Sequence, residues 1–342
     1  MGNKVIFFGA GGQAEYIWKQ MKSMPLCETQ CVAFADNNSN LWGKNFKGIN
    51  IISPYELKQD MADFFVITSI YENAIKRQLM NESGISENKI YTFDEYKRKC
   101  YAQWQYQKRY GGRQKSFGGR KKCFDLSNVV IYTAIMGGYD ELRDPLFTDD
   151  DLTYICFTDN ENIKSDIWYV EYLHDDKLDH MHLAKKIKIF PHLYVKEFDT
   201  SIWVDGKLEI RGDLRSYIRE YEKNTAMLCF PHYERECIYE EAGTCLFYKK
   251  GNKEELIRQI SDYYREGYPI NNGLYEMACI VRRHADDLVQ KVMRDWYKEI
   301  EQYSHRDQVS FPVVCYRNHF LPDICNKDIY HNEWLKAYAH VL

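Results

Sequence analysis

Five short runs of β-branched and aromatic residues in this chain each stop at a glycine or an acid. Val5 to Phe8 stops at Gly9, Cys31 to Ala35 at Asp36, Val129 to Ile135 just before Gly137 and Gly138, Thr153 to Phe157 before Asp159, and Ser201 to Val204 at Asp205. Runs of that composition need a buried place in a sheet, and the polar residues that follow must stand on its rim, where open α/β folds bind ligands. An α/β architecture is therefore expected. The most informative of these ends is Asp205-Gly206-Lys207. Gly206 frees the backbone to turn, while Asp205 offers a group for a cation and Lys207 one for an anion, a pair that suits a nucleotide diphosphate with its counter-ion.

With 342 residues, 45% of them hydrophobic, the chain is long enough for two domains, each with its own core. The first begins with a strand over Lys4 to Phe8, a turn Gly9-Ala10-Gly11-Gly12-Gln13-Ala14 and a helix carrying Tyr16, Ile17, Trp18 and Met21. Gly9, Gly11 and Ala14 fall on the G-x-G-x-x-G/A spacing, and Asp36 lies at roughly the distance where that fingerprint places an acid for a ribose hydroxyl. Further strands are expected around Ile49 to Ile52, Asp63 to Thr68 and Lys89 to Tyr91, which closes a small unit over residues 1–97. Two readings of Gly9, Gly11, Gly12 and Asp36 stand side by side: a pyrophosphate seated on a helix N-terminus, or a tight turn that lets helix and strand pack. Through Gly9-Ala10-Gly11-Gly12 and Phe34-Ala35-Asp36-Asn37-Asn38 the region resembles the small Rossmann-like domains attached to sugar-modifying and capsule-synthesis proteins, which implies an accessory module. Residues 98–127 are basic, aromatic and glycine-punctuated, and read as a solvated helix followed by a linker. The second domain is expected over 128–342.

A net charge of -4 gives no field that would draw in nucleic acid. No apolar run approaches the length of a membrane span, so a lipid-linked substrate would ask for peripheral membrane contact at most. The odd count of 11 cysteines, without zinc-like spacings or a signal peptide, favours a reducing cytoplasm. Aromatic residues make up 15% of the chain. They suit carbohydrate clefts, but composition by itself points first to an aromatic-rich core.

Within the second domain, the strand ends at Tyr139-Asp140, Thr158-Asp159 and Asp205-Gly206-Lys207 share one rim. Between the second and third lies a helical stretch in which Lys185 and Lys188 fall on one face, placed to meet a leaving diphosphate. Farther on, the stretch from Cys229 to Glu241 gathers His232, Arg235 and two carboxylates. Glu276 stands where a loop enters a strand, and Asp307 and Gln308 precede an apolar helix.

The run Val130 to Asp140, the segment Ala184 to His192, Trp203-Val204-Asp205-Gly206-Lys207 and Arg306-Asp307-Gln308 together resemble a glycosyltransferase family once catalogued as a domain of unknown function, found in plant mucilage and cell-wall proteins and in bacterial polysaccharide clusters. The resemblance covers roughly residues 128–320. It implies a GT-A-type Rossmann-like domain that moves a sugar from a nucleotide diphosphate, a UDP-sugar being the expected donor, to a hydroxyl of a glycan or glycolipid in surface polysaccharide synthesis. Carried over, Thr133, Gly138 and Tyr139 would hold the nucleotide, Asp159 its base or ribose, and Lys185, Lys188 and Lys207 its phosphates. Asp205 matches the first acid of a metal-binding D-x-D, but Lys207 replaces the second. Dependence on Mn²⁺ or Mg²⁺ is thus open, with His331 and His319 as further ligands to test. For an inverting reaction Asp307 or Glu241 would take the acceptor proton, and His232, Glu276 and Gln308 are candidates for contacts to the acceptor. Two other readings are a sugar-nucleotide oxidoreductase or epimerase using NAD at the first glycine turn, and a non-catalytic sugar-nucleotide scaffold. The absence of a convincing Tyr/Lys or His proton donor near that turn speaks against NAD.

Overall fold

The computed structural model describes residues 3–23, 29–111, 124–223 and 225–340. The chain divides into two compact units, residues 1–112 and 113–342.

The first unit runs β1 (Asn3–Phe8), α1 (Gly12–Ser23), β2 (Thr29–Ala35), β3 (Asn45–Phe46), β4 (Ile49–Ile52), β5 (Phe64–Ile67), α2 (Glu72–Asn81), β6 (Ile90–Thr92) and α3 (Phe93–Tyr110). The sheet order is β3-β4-β2-β1-β5-β6, parallel throughout except for the edge strand β3. Alternation along the strands feeds both faces. Ile6, Phe8, Phe65 and Ile67 pack with Ile75 and Leu79 of α2, whereas Val5, Phe7, Phe34 and Val66 pack with Ile17 of α1 and with Phe93, Tyr96 and Cys100 of α3. Helices on both faces of a parallel sheet make this unit Rossmann-like.

The boundary expected at residue 97 falls inside α3. Thr92 and Glu95 form a reciprocal capping box that starts the helix, and Cys100, Ala102 and Gln105 are buried farther along it, so the basic stretch opens as a packed helix. The rest of that stretch, from Gly112 to Cys123, lies outside the described residues.

The second unit continues with β7 (Val129–Ile135), β8 (Thr153–Thr158), β9 (Tyr169–Tyr172), α4 (His180–Ile189), α5 (Pro191–Tyr194), β10 (Thr200–Val204), β11 (Leu208–Ile210), α6 (Leu214–Tyr221), β12 (Met227–Pro231), α7 (Ile238–Phe247), α8 (Lys253–Arg265), β13 (Tyr275–Arg282), α9 (Asp287–Gln302), α10 (Asp307–Arg317), β14 (Asp323–Ile324) and β15 (Leu335–Ala337). Its main sheet has the order β14-β12-β13-β10-β7-β8-β9. Strands β9, β8, β7 and β10 are parallel, and β13 runs antiparallel to both β10 and β12. The α/β class with two Rossmann-like sheets is therefore what the chain adopts. The reversed strand matters for chemistry, because the beginning of β13 lies beside the end of β10: the amide of Asp205 donates to the carbonyl of Ala278 at 2.8 Å. Strands β11 and β15 form a separate ribbon that lays the last described residues along the Asp205-Gly206-Lys207 turn, with the Tyr338 amide donating to the Lys207 carbonyl at 2.9 Å.

Candidate functional site

The end of β7 is shaped by two successive left-handed residues, Gly137 with φ 62° and Gly138 with φ 67°, a conformation that side chains other than glycine avoid. They turn the chain so that Asp140 backs onto Gly206. A Cβ at Gly206 would lie 2.5 Å from Cδ1 of Ile135 and 3.0 Å from Cβ of Asp140, so the Asp205-Lys207 turn and the β7 loop close on each other only with glycine there. Asp159, past the end of β8, accepts the Gly137 amide at 2.9 Å and meets Nδ1 of His180 at 2.5 Å. Its carboxylate thereby pins the glycine turn to the start of α4. Tyr139 is exposed and its ring lies 4.5 Å from that of His340, whose Nδ1 meets Asp140 at 2.9 Å. Burial pushes the Asp140 carboxyl upward against the opposing pull of His340. Thr133 is placed differently from the expectation. It lies within β7, buried, and its hydroxyl has no hydrogen-bond partner among the described residues.

Helix α4 supplies the lysines. Asp179 caps it by accepting the His182 amide at 2.8 Å, and Pro191, opening α5, stops it. One face then carries Lys185 and Lys188 toward Asp307, at the start of α10: both ammoniums reach its Oδ2, at 2.6 Å and 2.9 Å. Lys188 also meets Oδ1 of Asp205 at 3.2 Å, an oxygen that accepts the Trp203 indole N–H at 2.6 Å. Burial alone would favour the neutral forms. For Asp307 the two ammoniums outweigh burial and hold the carboxyl well below the usual range. Asp205 and Asp307 likewise raise Lys188 above an ordinary lysine, while for Lys185 burial prevails over the attraction of Asp307 and lowers it.

Glu276, at the beginning of β13, completes the cluster. β12 pairs Phe230 with Glu276 and Cys229 with Ile280, an irregularity in β13 of the kind that re-aims side chains beside active sites. The Glu276 carboxylate accepts Nε2 of Gln308 at 2.9 Å. Burial is the main influence on it, with Lys207 opposing and Asp205 adding to the rise, and its carboxyl is pushed up to about 7. Lys207 acts electrostatically on both Asp140 and Glu276. The site thus sets the carboxylates of Asp205 and Asp307 among the side chains of Lys185, Lys188 and Lys207, with a Glu276 carboxyl pushed up to about 7 beside them.

Several expected residues take other roles. Lys188 is 3% exposed, so it neutralises carboxylates from inside. His232 is 1% exposed, its Nδ1 accepts the amides of Glu234 and Arg235, and burial lowers it to about 3. It is a neutral organiser of its loop, unavailable to an acceptor. Glu241 is buried and ion-paired to Arg235 at 2.9 Å, which commits the carboxylate that was a candidate base. In the first unit Asp36 accepts the amides of Ala10 at 2.7 Å and Asn38 at 2.8 Å. The expected ribose acid is therefore occupied in holding the glycine turn, beside the exposed Gly11 and Gly12, while the Gly9 amide donates to the Ala35 carbonyl.

The residues around Asp205 do not fit a divalent cation. Such an ion asks for several oxygen ligands free of competing cations, yet Asp205 and Asp307 both carry ammonium contacts. Among the described residues no group of three or more His, Cys, Asp and Glu side chains is arranged to hold a metal. His331 is paired with Asp328 at 3.0 Å, and His319 is exposed in a left-handed turn after α10.

Residues 101–334 match the family described as TOD1/MUCI70, glycosyltransferase-like domain. The chain belongs to this family. Residues 1–91 match the C2185-like, N-terminal family. Among curated proteins, the TOD1/MUCI70 chain is similar to the probable hexosyltransferase MUCI70 of Arabidopsis thaliana, with 24% identity over 214 residues, covering 54% of this chain and 37% of that protein. It therefore spans little more than a third of that relative. Among solved structures it aligns with the apo bifunctional glycosyltransferase WbbM at a TM-score of 0.35 and 8% identity, over 58% of this chain and 39% of that one, a likeness too slight to support any argument.

For this TOD1/MUCI70 domain, Trp203 and His340 are additions that sequence reasoning missed. Trp203 carried a signal: two residues before Asp205, it projects to the same face of the strand and its extension. His340 carried none, since it reaches Asp140 across 200 residues. Asp140 was visible as a strand end but had no role assigned.

Proposed function

We propose that the second unit is a metal-independent glycosyltransferase that moves a hexosyl group from a nucleotide diphosphate to a hydroxyl of a glycan or glycolipid. The single observation that carries the reading is the cluster at the carboxyl edge of β7 and β10, where Lys185, Lys188 and Lys207 stand among Asp205, Asp307 and a Glu276 carboxyl poised near 7. Departure of a nucleoside diphosphate leaves charge on its oxygens, and preorganised cations offset it. Lys185 and Lys207, both partly exposed, are the ammoniums available for that. Trp203 and Lys188 hold Asp205 so that it faces the sugar side. Glu276 is the proton acceptor for the attacking hydroxyl, since a base works best when its pKa lies near the operating pH. Asp307, held anionic by two lysines, is a poor proton acceptor and serves as their anchor. A cytoplasmic setting, a UDP-sugar donor and a role in surface polysaccharide synthesis belong to the same reading.

The test is turnover of a panel of UDP-hexoses, with and without a glycan acceptor, in EDTA and in Mn²⁺, for the wild type and Asp205→Asn. Nucleotide release that needs the acceptor and falls in the variant supports the reading. Binding of the donors without any release, by wild type under all conditions, would favour a scaffold instead.

A further inference from the structure

Lys188 bridges the two fixed carboxylates, and its position depends on how α4 ends. Pro191 has no N–H and begins a new helix, so past the Phe190 amide that meets the Lys186 carbonyl at 3.0 Å the end of α4 is short of its usual intrahelical donors. The carbonyl of Lys188 itself is met by the hydroxyl of Tyr132, from the middle of β7, at 2.9 Å. That phenol is completely buried, and burial pushes it up to about 12, so it keeps its proton. Arg282, the last residue of β13, donates through Nη2 to the same phenol oxygen at 2.5 Å. A guanidinium only donates, so the one proton of Tyr132 is left for Lys188.

Arg282 is also wholly buried. Its other side-chain hydrogen bond goes to the sulfur of Met293 at 3.3 Å, and it makes no ion pair with a carboxylate among the described residues. A buried guanidinium kept without a counter-charge is costly, which asks for a reason beyond packing. The Tyr132 ring also stands edge-on to Trp203 at 5.2 Å, and Trp203 in turn holds Asp205. One tyrosine thereby touches both supports of Asp205: the backbone of Lys188 and the ring of Trp203.

We propose that Arg282 and Tyr132 form a positioning pair that caps the end of α4 and fixes where the Lys188 ammonium stands between Asp205 and Asp307. Neither residue is required to touch donor or acceptor. The inference deepens the transferase reading and rests on it for the kinetic consequence, whereas the placement of Lys188 is measurable without any reaction.

Tyr132→Phe keeps the ring against Trp203 and removes only the hydroxyl. Arg282→Met keeps much of the bulk and removes a buried charge that is itself costly to keep out of water. For each, competitive acetylation with acetic anhydride followed by peptide mass spectrometry reads the reactivity of Lys188 against exposed lysines, thermal melting reads the fold, and kcat and KM are taken for a UDP-hexose that the wild type turns over. Both variants are expected to melt within a few degrees of wild type, to label faster at Lys188, and to lose about ten-fold in kcat with little change in KM, the rate equivalent of about one hydrogen bond. Lys188 labelling and kcat equal to wild type in Tyr132→Phe would overturn the pair's role. If the wild type turns over no nucleotide sugar, the transferase reading falls, and the labelling comparison still decides this one.

Discussion

Replacing Glu276 by glutamine should make the protein more stable and less active at the same time. A carboxyl moved from its ordinary 4.5 to about 7 means that ionised Glu276 costs the folded state about 3 kcal/mol, each pKa unit being worth about 1.4 kcal/mol. The sign follows from proton linkage. Between about 4.5 and 7 the folded chain holds a proton that the unfolded chain has released, so stability from this group falls as pH rises across that window. The cost is absent below it and complete above it. Glutamine is neutral, nearly isosteric, and keeps an oxygen for the Nε2 of Gln308 that now lies 2.9 Å from the carboxylate. Urea unfolding of the second unit should therefore show Glu276→Gln more stable by up to about 3 kcal/mol at pH 8 and level with wild type near pH 4.5. Loss of a positioned base should lower sugar transfer by about 100-fold or more, and wild-type kcat/KM should rise with pH to a plateau above about 7. Equal stability of the two proteins at pH 8, or transfer retained by the variant, would refute the assignment.

Other substitutions probe the fixed anions. Asp307→Asn leaves two ammoniums facing a single remaining carboxylate, and should lower stability by about 3 kcal/mol at pH 7. Because the Asp307 carboxyl is held low in the folded protein, its contribution is present above roughly pH 4 and fades below, so the difference between variant and wild type should shrink in acid unfolding. Trp203→Phe keeps an aromatic side chain but removes the 2.6 Å bond to Asp205 and part of a buried indole; transfer should drop by about ten-fold, as expected for one hydrogen bond to a charged group, and the smaller ring should lower stability by about 1 kcal/mol or more in chemical denaturation. Gly206→Ala sets a methyl 2.5 Å from Ile135, and the overpacking should cost about 1–3 kcal/mol in chemical denaturation and impair turnover by displacing Asp140. Turnover by wild type should be unchanged in EDTA, measured as nucleotide release.

Much of the architecture was legible because it follows from periodicity. The strand ends at Asp36, Gly137, Asp159 and Asp205 all lie where the apolar runs stop, and the three-residue spacing of Lys185 and Lys188 put both on the face that meets Asp307. What stayed hidden depends on pairings that no local pattern encodes. His232 and Glu241 read as site residues because they are polar and clustered, yet the fold turns both inward onto Arg235 and the loop amides. The reversal of β13 is what brings Glu276 alongside the Asp205 turn, and a strand's direction cannot be read from its own residues. In α3 a basic sequence suggested solvent, whereas Cys100 and Ala102 are buried and Lys97, Arg98 and Lys99 are themselves only partly exposed.

The division of labour among the carboxylates comes down to the partner each one has. Asp307 accepts two ammoniums and Asp205 one ammonium and an indole; a cation in direct contact favours the charged form. Glu276 accepts an amide N–H from Gln308, which carries no net charge, while the largest influences on it are its own burial and the charge of Lys207. Burial therefore acts on Glu276 with only a neutral amide in contact, which leaves its carboxyl able to gain and lose a proton near neutrality. The same logic explains Lys207. A second aspartate there would complete the D-x-D but add another negative charge beside Asp140 and Glu276, both of which burial already pushes upward. Such a site would need a dication to hold it together, and Lys207 supplies the positive charge from the chain itself.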